Sequence, residues 1–310
     1  MAPRVLVSNV MMLAERERFD EALRSRGYEP VWAEVRQHLD EAACLAAVGN
    51  IDGWLAGDDR ITRAVMERAL PRLKVITKWG SGLDSIDRDA AVSLGVPVLN
   101  APGAFADAVA ECAIGMTLML TRRLAAVDRA VRGGQWPKPR GRELRGRMLG
   151  LIGHGAIGRR IGELAAAFGM EVAFHDPAQE GGVPLERLAA ESDVICLACA
   201  LTPENRGMID AGFLGRMKPD AILVNVARGP LVDEAALLAA LDRGALAGAA
   251  LDVFETEPLP SGHPLLARDD IVLGSHNANN GEAAVEAVHR MTLDNLDSIL
   301  IGTGPAQLRR

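Results

Sequence analysis

Gly153, Gly155 and Gly158 satisfy the spacing Gly-x-Gly-x-x-Gly, and no other stretch limits the fold of this 310-residue chain as much. Residues 148–152 before them are short and apolar, as a buried strand is. Residues 157–168 after them are alanine-rich with helical periodicity. Gly153 permits a tight turn out of the strand, Gly155 lets backbone approach a pyrophosphate, and Gly158 lets the helix lie close to the sheet. The helix start then offers unpaired N–H groups and the positive end of its dipole, with His154, Ala156 and Ile157 completing the loop. A glycine triplet alone is often just a turn, so the strand before it and the helix after it carry the argument. A second strand at residues 171–175 runs into Asp176. A carboxylate there can accept from ribose hydroxyls and repel a 2′-phosphate, which favours NAD over NADP. The plainer alternative is an aspartate capping a helix ahead of Pro177.

Short apolar runs and longer helical patterns alternate along the rest of the chain. Residues 5–10, 53–56, 74–77 and 97–99 read as strands, with helices such as 15–26 and 62–70 between them. Residues 104–132 read as one long helix ending at Gly133 and Gly134. A second series of strands follows at 148–152, 171–175, 194–197, 221–225, 247–252 and 271–273, with helices such as 234–243 between them. Residues 282–301 are again helical. This is the rhythm of parallel α/β units, and the length suits two domains. The break falls near Pro102 and Gly103, and the last helix can return to the first domain. The expected layout is a discontinuous domain of residues 1–101 plus 284–310 and a nucleotide-binding domain of residues 102–283. Aromatic residues are only 4% against 49% hydrophobic overall, so Ala, Leu, Val and Ile must build the cores, as in parallel sheets under alanine-rich helices.

A net charge of −7 argues against nucleic acid or an anionic membrane as partner, since both need concentrated positive charge. No apolar run reaches the length of a membrane span. The N-terminus enters a strand pattern at once, without a signal-peptide layout, and with few cysteines the reading is a cytoplasmic protein. Cys196 and Cys199 match C-x-x-C, but the whole apolar run 194–201 that holds them reads as a strand, where residues three apart point to opposite faces, so they read as two packed side chains. With Cys44 and Cys112 they complete no metal site, and no metal is expected.

Three polar side chains follow predicted strands in the second half: Arg228, Glu257 and His276. Each has a plain alternative, as a surface charge, a solvated loop residue and an exposed histidine. Together they supply what carbonyl reduction needs. Arg can hold a carboxylate through two parallel hydrogen bonds and polarise the adjacent carbonyl. His titrates near neutrality and can protonate a forming alkoxide. A Glu bonded to that His orients the ring.

On these and further motifs the chain resembles the D-isomer-specific 2-hydroxyacid dehydrogenase family. The motifs are Gly80-Ser81-Gly82-Leu83-Asp84-Ser85-Ile86-Asp87, Val96-Pro97-Val98-Leu99-Asn100 with Val109-Ala110-Glu111, the glycine loop, Leu201-Thr202-Pro203-Glu204-Asn205-Arg206, Asn225 to Gly229, Ala250-Leu251-Asp252-Val253-Phe254, and Ser275-His276. The resemblance implies two doubly wound parallel-sheet domains, a Rossmann NAD-binding domain and a flavodoxin-like substrate-binding domain, with a cleft between them. It implies that Arg228 binds the substrate carboxylate and carbonyl, that His276 is the general acid/base paired with Glu257, and that Asp252 holds the nicotinamide carboxamide. Ile157, Asp176, Cys199, Val226 and Ala227 would line the cofactor, and backbone amides of Gly80, Ser81 and Gly82 would receive the substrate carboxylate. Lys78 and Trp79 could line the substrate pocket; for Lys78, a contact to a distal anion and a solvated strand end stand about even.

The sequence also departs from the family pattern. Ala156 replaces a frequent Arg, Ala198 and Ala200 a common His and Pro, and Phe105 a frequent Asn. Asp58 and Asp59 follow Gly57 where phosphoglycerate enzymes carry an Arg, which disfavours a phosphorylated acid. The leading expectation is interconversion of a small 2-keto acid and a D-2-hydroxy acid with NADH. Oxidation of an inorganic anion such as phosphite and an NAD-sensing corepressor are the alternatives. The helix at 104–132, apolar on more than one face, is expected to pack in a homodimer.

Overall fold

A strand apolar on both faces is stable only inside a sheet covered by helices on each side, and two such sheets form here. The structure, a computed structural model, describes residues 2–302. They fall into two units, residues 2–104 with 282–302, and Phe105–Gly281. In the first unit β1 (Arg4–Val7), β2 (Glu29–Trp32), β3 (Gly53–Ala56), β4 (Val75–Lys78) and β5 (Val98–Leu99) alternate with α1 (Val10–Ala14), α2 (Arg16–Ser25), α3 (Glu41–Ala47), α4 (Arg63–Ala69) and α5 (Arg88–Leu94). The strands pair in parallel in the order β2-β1-β3-β4-β5. The helix Glu282–Leu300 packs on β3 and β4, and a Cβ on Gly53 would come within 2.7 Å of Leu296.

The second unit opens with α6 (Ala106–Thr121) and α7 (Leu124–Arg132). Strands β6 (Met148–Ile152), β7 (Glu171–His175), β8 (Val194–Leu197), β9 (Ile222–Asn225), β10 (Gly248–Leu251) and β11 (Ile271–Leu273) follow. Between them lie α8 (Ala156–Ala167), α9 (Leu185–Glu191), α10 (Ala211–Leu214) and α11 (Glu234–Asp242), so Glu282–Leu300 is α12. The sheet is again parallel, ordered β11-β10-β9-β8-β6-β7, over a core that includes Leu197, Leu223, Leu237 and Leu251. The winding reverses between β1 and β3 in one sheet and between β6 and β8 in the other. In open α/β sheets the ligand crevice lies outside the carboxyl ends of the strands at that reversal. Asn9 and Gly57 stand there in the first unit, and the glycine loop and Cys199 in the second.

Three expectations are corrected. The strand expected at 5–10 stops at Val7, because the Asn9 side chain accepts from the amides of Met11 and Met12 and starts α1. The single helix expected at 104–132 is two. Arg123 takes a left-handed conformation (φ 55°), and the Arg142 amide donates to Thr121 O, ending α6. Only α6 is buried, and it is buried within its own unit, whereas α7 contains no buried residue. The apolar run after Val194 is strand only to Leu197, so Cys199 lies beyond β8.

Candidate active site

The glycine loop has the geometry its spacing demands. Gly153 sits at φ 96°, and a Cβ there would fall 2.6 Å from the Cys199 amide nitrogen. A Cβ on Gly158 would overlap the Gly153 carbonyl, so α8 approaches the turn as only glycine allows. A Cβ on Gly155 would find nothing within 4 Å, so the space beside that residue is open. Gly155 caps α8 without a side-chain bond, leaving first-turn amides to serve an anion. Asp176 ends the next strand. Its Oδ2 accepts from the His154 amide at 2.8 Å and its Oδ1 from Ala178 at 3.0 Å, an Asx turn rather than a helix cap. The bond from His154, more than the other influences, lowers the carboxyl pKa and keeps the group ionised. The His154 ring stacks on Phe174 at 3.8 Å, so the loop leans on β7. These residues fit a dinucleotide with free ribose hydroxyls.

Arg228, Glu257 and His276 follow β9, β10 and β11, three adjacent strands, so their loops emerge side by side. Buried Asn225 folds the first loop: its Oδ1 accepts from Ala227 N at 3.0 Å and its Nδ2 donates to Arg228 O at 2.9 Å. Val226 and Ala227 are buried in that turn. A Cβ on Gly229 would overlap the Phe254 carbonyl, so the first loop packs directly on the second. In the second loop Glu257 Oε1 accepts from Phe254 N at 2.9 Å, and Oε2 lies 2.7 Å from His276 Nδ1. The third loop is hung on Asp252, 2% exposed. Its backbone carbonyl accepts from His276 N, and its carboxylate accepts from Asn277 N (3.0 Å) and Ala278 N (2.8 Å). His276 itself is left-handed (φ 57°), a costly conformation for a non-glycine residue that persists where surrounding contacts impose it.

The remaining named residues belong to the first unit. Lys78 is 4% exposed, which removes the solvated alternative. Its Nζ lies 2.9 Å from Asp58 Oδ1 and donates to Trp79 O. Asp59 beneath is fully buried, accepts from Ser8 Oγ, Leu39 N and Gly57 N, and has its pKa raised by burial. Trp79 Nε1 donates to His289 Nδ1 at 3.1 Å, and burial lowers the pKa of that histidine. Gly80 O accepts from Ala101 N and Ser81 O from Asn100 Nδ2, while among the described residues no hydrogen bond leaves the amides of Gly80, Ser81 or Gly82.

Comparison with known proteins settles the family. Residues 114–278 match the model described as "D-isomer specific 2-hydroxyacid dehydrogenase, NAD binding domain". Over 99% of its length the chain is 36% identical to the glyoxylate reductase of Aeropyrum pernix, covering 95% of that protein. The chain belongs to the D-isomer specific 2-hydroxyacid dehydrogenase family. A hydroxypyruvate reductase of Thermotoga maritima is 36% identical over 85% of the chain and 88% of its own length. The structure of Aquifex aeolicus D-lactate dehydrogenase complexed with NAD and lactic acid superposes with TM-score 0.86 at 27% identity, covering 96% of both chains. This protein is thus an NAD-dependent D-2-hydroxyacid dehydrogenase, and the two-domain parallel fold is that of its family.

Within this dehydrogenase, Ala156 opens α8 and Phe105 is buried at the start of α6. Burial pushes the thiol pKa of Cys196 up to about 12 and that of Cys199 up to about 11, so neither is a thiolate near neutrality. Glu15, Glu286 and His289 bring potential metal ligands within 4.8 Å of one another, but Arg18 bridges both carboxylates. With Nδ1 of His289 accepting from Trp79, Nε2 carries the proton of the neutral ring and has no lone pair for a metal. Among the described residues no helix is long and apolar enough to cross a membrane.

Proposed function

We propose that this dehydrogenase uses NADH to reduce a small 2-keto acid without a second anionic group to the 2-hydroxy acid, glyoxylate to achiral glycolate or hydroxypyruvate to D-glycerate. The observation that carries the proposal is the 2.7 Å bond between His276 Nδ1 and Glu257, in a loop beside the one bearing Arg228. NADH, when bound, supplies the hydride. Arg228 grips the substrate carboxylate with its planar fork and polarises the carbonyl. With Nδ1 committed to Glu257, Nε2 of His276 is the atom that hands its proton to the forming alkoxide, and the carboxylate of Glu257 stabilises the charged ring. Each oxygen of Asp252 accepts one loop amide and keeps a second lone pair, which suits it to the nicotinamide carboxamide. Gly153, His154, Gly155, Ala156, Ile157 and Gly158 cradle the pyrophosphate, Asp176 the ribose, and Cys199, Val226 and Ala227 line the cofactor.

The substrate class rests on the first unit, where residues 78–82 are proposed to receive the acid. Lys78 is the buried cation of that segment, and Asp58 already faces it with Asp59 below. A phosphate or second carboxylate would meet that carboxylate rather than an unopposed ammonium, and like charges brought together are costly. The two relatives named above as reductases of glyoxylate and hydroxypyruvate point the same way.

Following NADH absorbance with glyoxylate, hydroxypyruvate, pyruvate, phenylpyruvate and 3-phosphohydroxypyruvate tests both parts. Turnover is expected on the first two, falling on the order of 10²–10⁴-fold in His276→Ala with NADH binding retained. Arg228→Ala is expected to damage both KM for the keto acid and kcat. Strong selectivity for 3-phosphohydroxypyruvate overturns the substrate class, and tight NADH binding without turnover on any acid overturns the reaction.

A further inference from the structure

A second glutamate–histidine pair lies behind the first. Glu234 is the first residue of α11, is 8% exposed, and follows the N-cap Asp233, whose side chain accepts from Ala236 N. Its Oε1 accepts the amide of Glu255 at 2.8 Å, and Glu255 returns the bond, its Oε1 accepting the amide of Glu234 at 3.3 Å. Its Oε2 lies 3.3 Å from Nε2 of His263. His263 Nδ1 accepts the amide of Leu265 at 3.4 Å, so the neutral ring carries its proton on Nε2, the nitrogen that faces the Glu234 carboxylate at ion-pair distance. A single buried carboxylate therefore ties both ends of one loop, at Glu255 and at His263, and Glu257 stands between the ties.

Besides the bonds of Glu257 to Phe254 N and His276 and a turn bond from His263 N to Pro260 O, that loop has little to fix it. Glu255, Thr256, Pro258, Pro260, Ser261, Gly262 and Pro264 are exposed, and its apolar anchors are partly buried Leu259 and buried Leu265. A segment so exposed keeps one conformation through its polar ties, and a buried carboxylate with a charge-assisted hydrogen bond is a strong one. Its place at the start of α11 adds the favourable field of the helix dipole.

We propose that Glu234, through its hydrogen bond from the Glu255 amide and its ion-pair contact with His263, is a positioning residue for the reaction: it holds the loop so that the Glu257 carboxylate meets Nδ1 of His276. This rests on the acid/base reading of the Glu257–His276 pair. Glu234 does not touch the reacting atoms. A displacement of about 1 Å at Glu257 is enough to cost on the order of 10²-fold in rate.

The test is a double-mutant cycle in the full-length protein, reading kcat, KM and melting temperature with NADH and the best keto acid. Glu234→Ala is expected to lower kcat about 10–100-fold while KM for NADH stays within about twofold. In the Glu257→Gln background the same substitution is expected to cost little further, because its route to the chemistry is already cut. His263→Asn retains an oxygen to accept the Leu265 amide but is too short for Glu234, and it is expected to lower kcat in the same direction with little change in melting temperature. Glu234→Gln keeps an acceptor for Glu255 and is expected to recover part of the Ala loss. If Glu234→Ala does not fold, His263→Asn and Glu234→Gln carry the same cycle. Wild-type kcat in the Glu234 and His263 variants, or a loss undiminished in the Glu257→Gln background, overturns the positioning role. Full activity in Glu257→Gln itself overturns instead the acid/base reading beneath it.

Discussion

Asp176 stands at the carboxyl end of β7 with two backbone amides, those of His154 and Ala178, already donating to it. Those bonds serve the charged form, the first of them most, and lower its pKa. An acid with a lowered pKa stays ionised as pH falls through the ordinary carboxylate range, so discrimination against a 2′-phosphate is expected to persist from neutral pH into mildly acidic solution. Asp176→Asn removes the charge and keeps an acceptor for His154. It is expected to raise kcat/KM for NADPH relative to NADH by about 10–100-fold, since about 1.4 kcal/mol of lifted repulsion is tenfold. Unchanged cofactor selectivity removes Asp176 from the ribose. The place of Asp176 at the end of β7 beside the glycine loop was legible because that signal is local: a glycine loop, a helix, a strand and an acid at a fixed interval. Asn225, Glu234 and Gly274 were not. Asn225 brackets a turn, Glu234 ties a loop that follows a different strand, and a Cβ on Gly274 would overlap Asp252. Such roles depend on approach between loops distant in sequence, which spacing along the chain does not encode.

At the scale of elements, two glycines distinguish space filled by the protein from open space at the proposed pyrophosphate site. Gly229→Ala forces a Cβ into the Phe254 carbonyl between the loops after β9 and β10, and backbone must yield. It is expected to cost about 1–3 kcal/mol or more, lowering the melting temperature, and to depress kcat as Arg228 moves. Gly155→Ala meets no protein atom and has an ordinary backbone (φ −72°), so its melting temperature is expected to hold while NADH affinity falls. Thermal melts and NADH titrations on both variants check the contrast, and equal loss of stability in both defeats it. The second sheet was legible almost strand for strand, because burial on both faces leaves continuous apolar runs such as Val194–Leu197. Ends decided by side-chain caps were not, as Asn9 shows. Strand β2 was overlooked because it contains Pro30, which an edge strand tolerates and a central one does not. The break between α6 and α7 escaped for a related reason: no glycine or proline marks it, and it is made by a left-handed arginine and a bond from Arg142.

For the molecule as a whole, α7 bears on the association state. It is strongly two-faced yet has no buried residue, and Leu124 (52% exposed), Val131 (41%) and, just beyond the helix, Trp136 (79%) are among the few large apolar side chains left in solvent. Beside it Met119, Leu120, Ala126, Ile271 and Val272 line a hollow together with the charged Arg123, Asp269 and Asp270. An apolar helix face next to a hollow lined by both apolar and charged side chains offers a partner copy the same projection and the same recess, as a twofold interface requires. We therefore propose a homodimer through α7 and the hollow beside it, a narrower interface than the long helix read from the sequence suggested, because most of α6 is buried inside its own unit. A stable interface of ordinary size removes about 800 Å² from each partner, more than one short helix supplies, so the exposed segment around Trp136 must take part. Light scattering is expected to give twice the 32.9 kDa chain mass at micromolar concentration. Leu124→Asp with Val131→Asp is expected to halve that mass while melting temperature, measured at low concentration, stays close to that of the dissociated parent, since neither side chain is buried in the single chain. A wild-type mass of one chain ends the dimer, and a dimer untouched by the double substitution moves the interface away from α7.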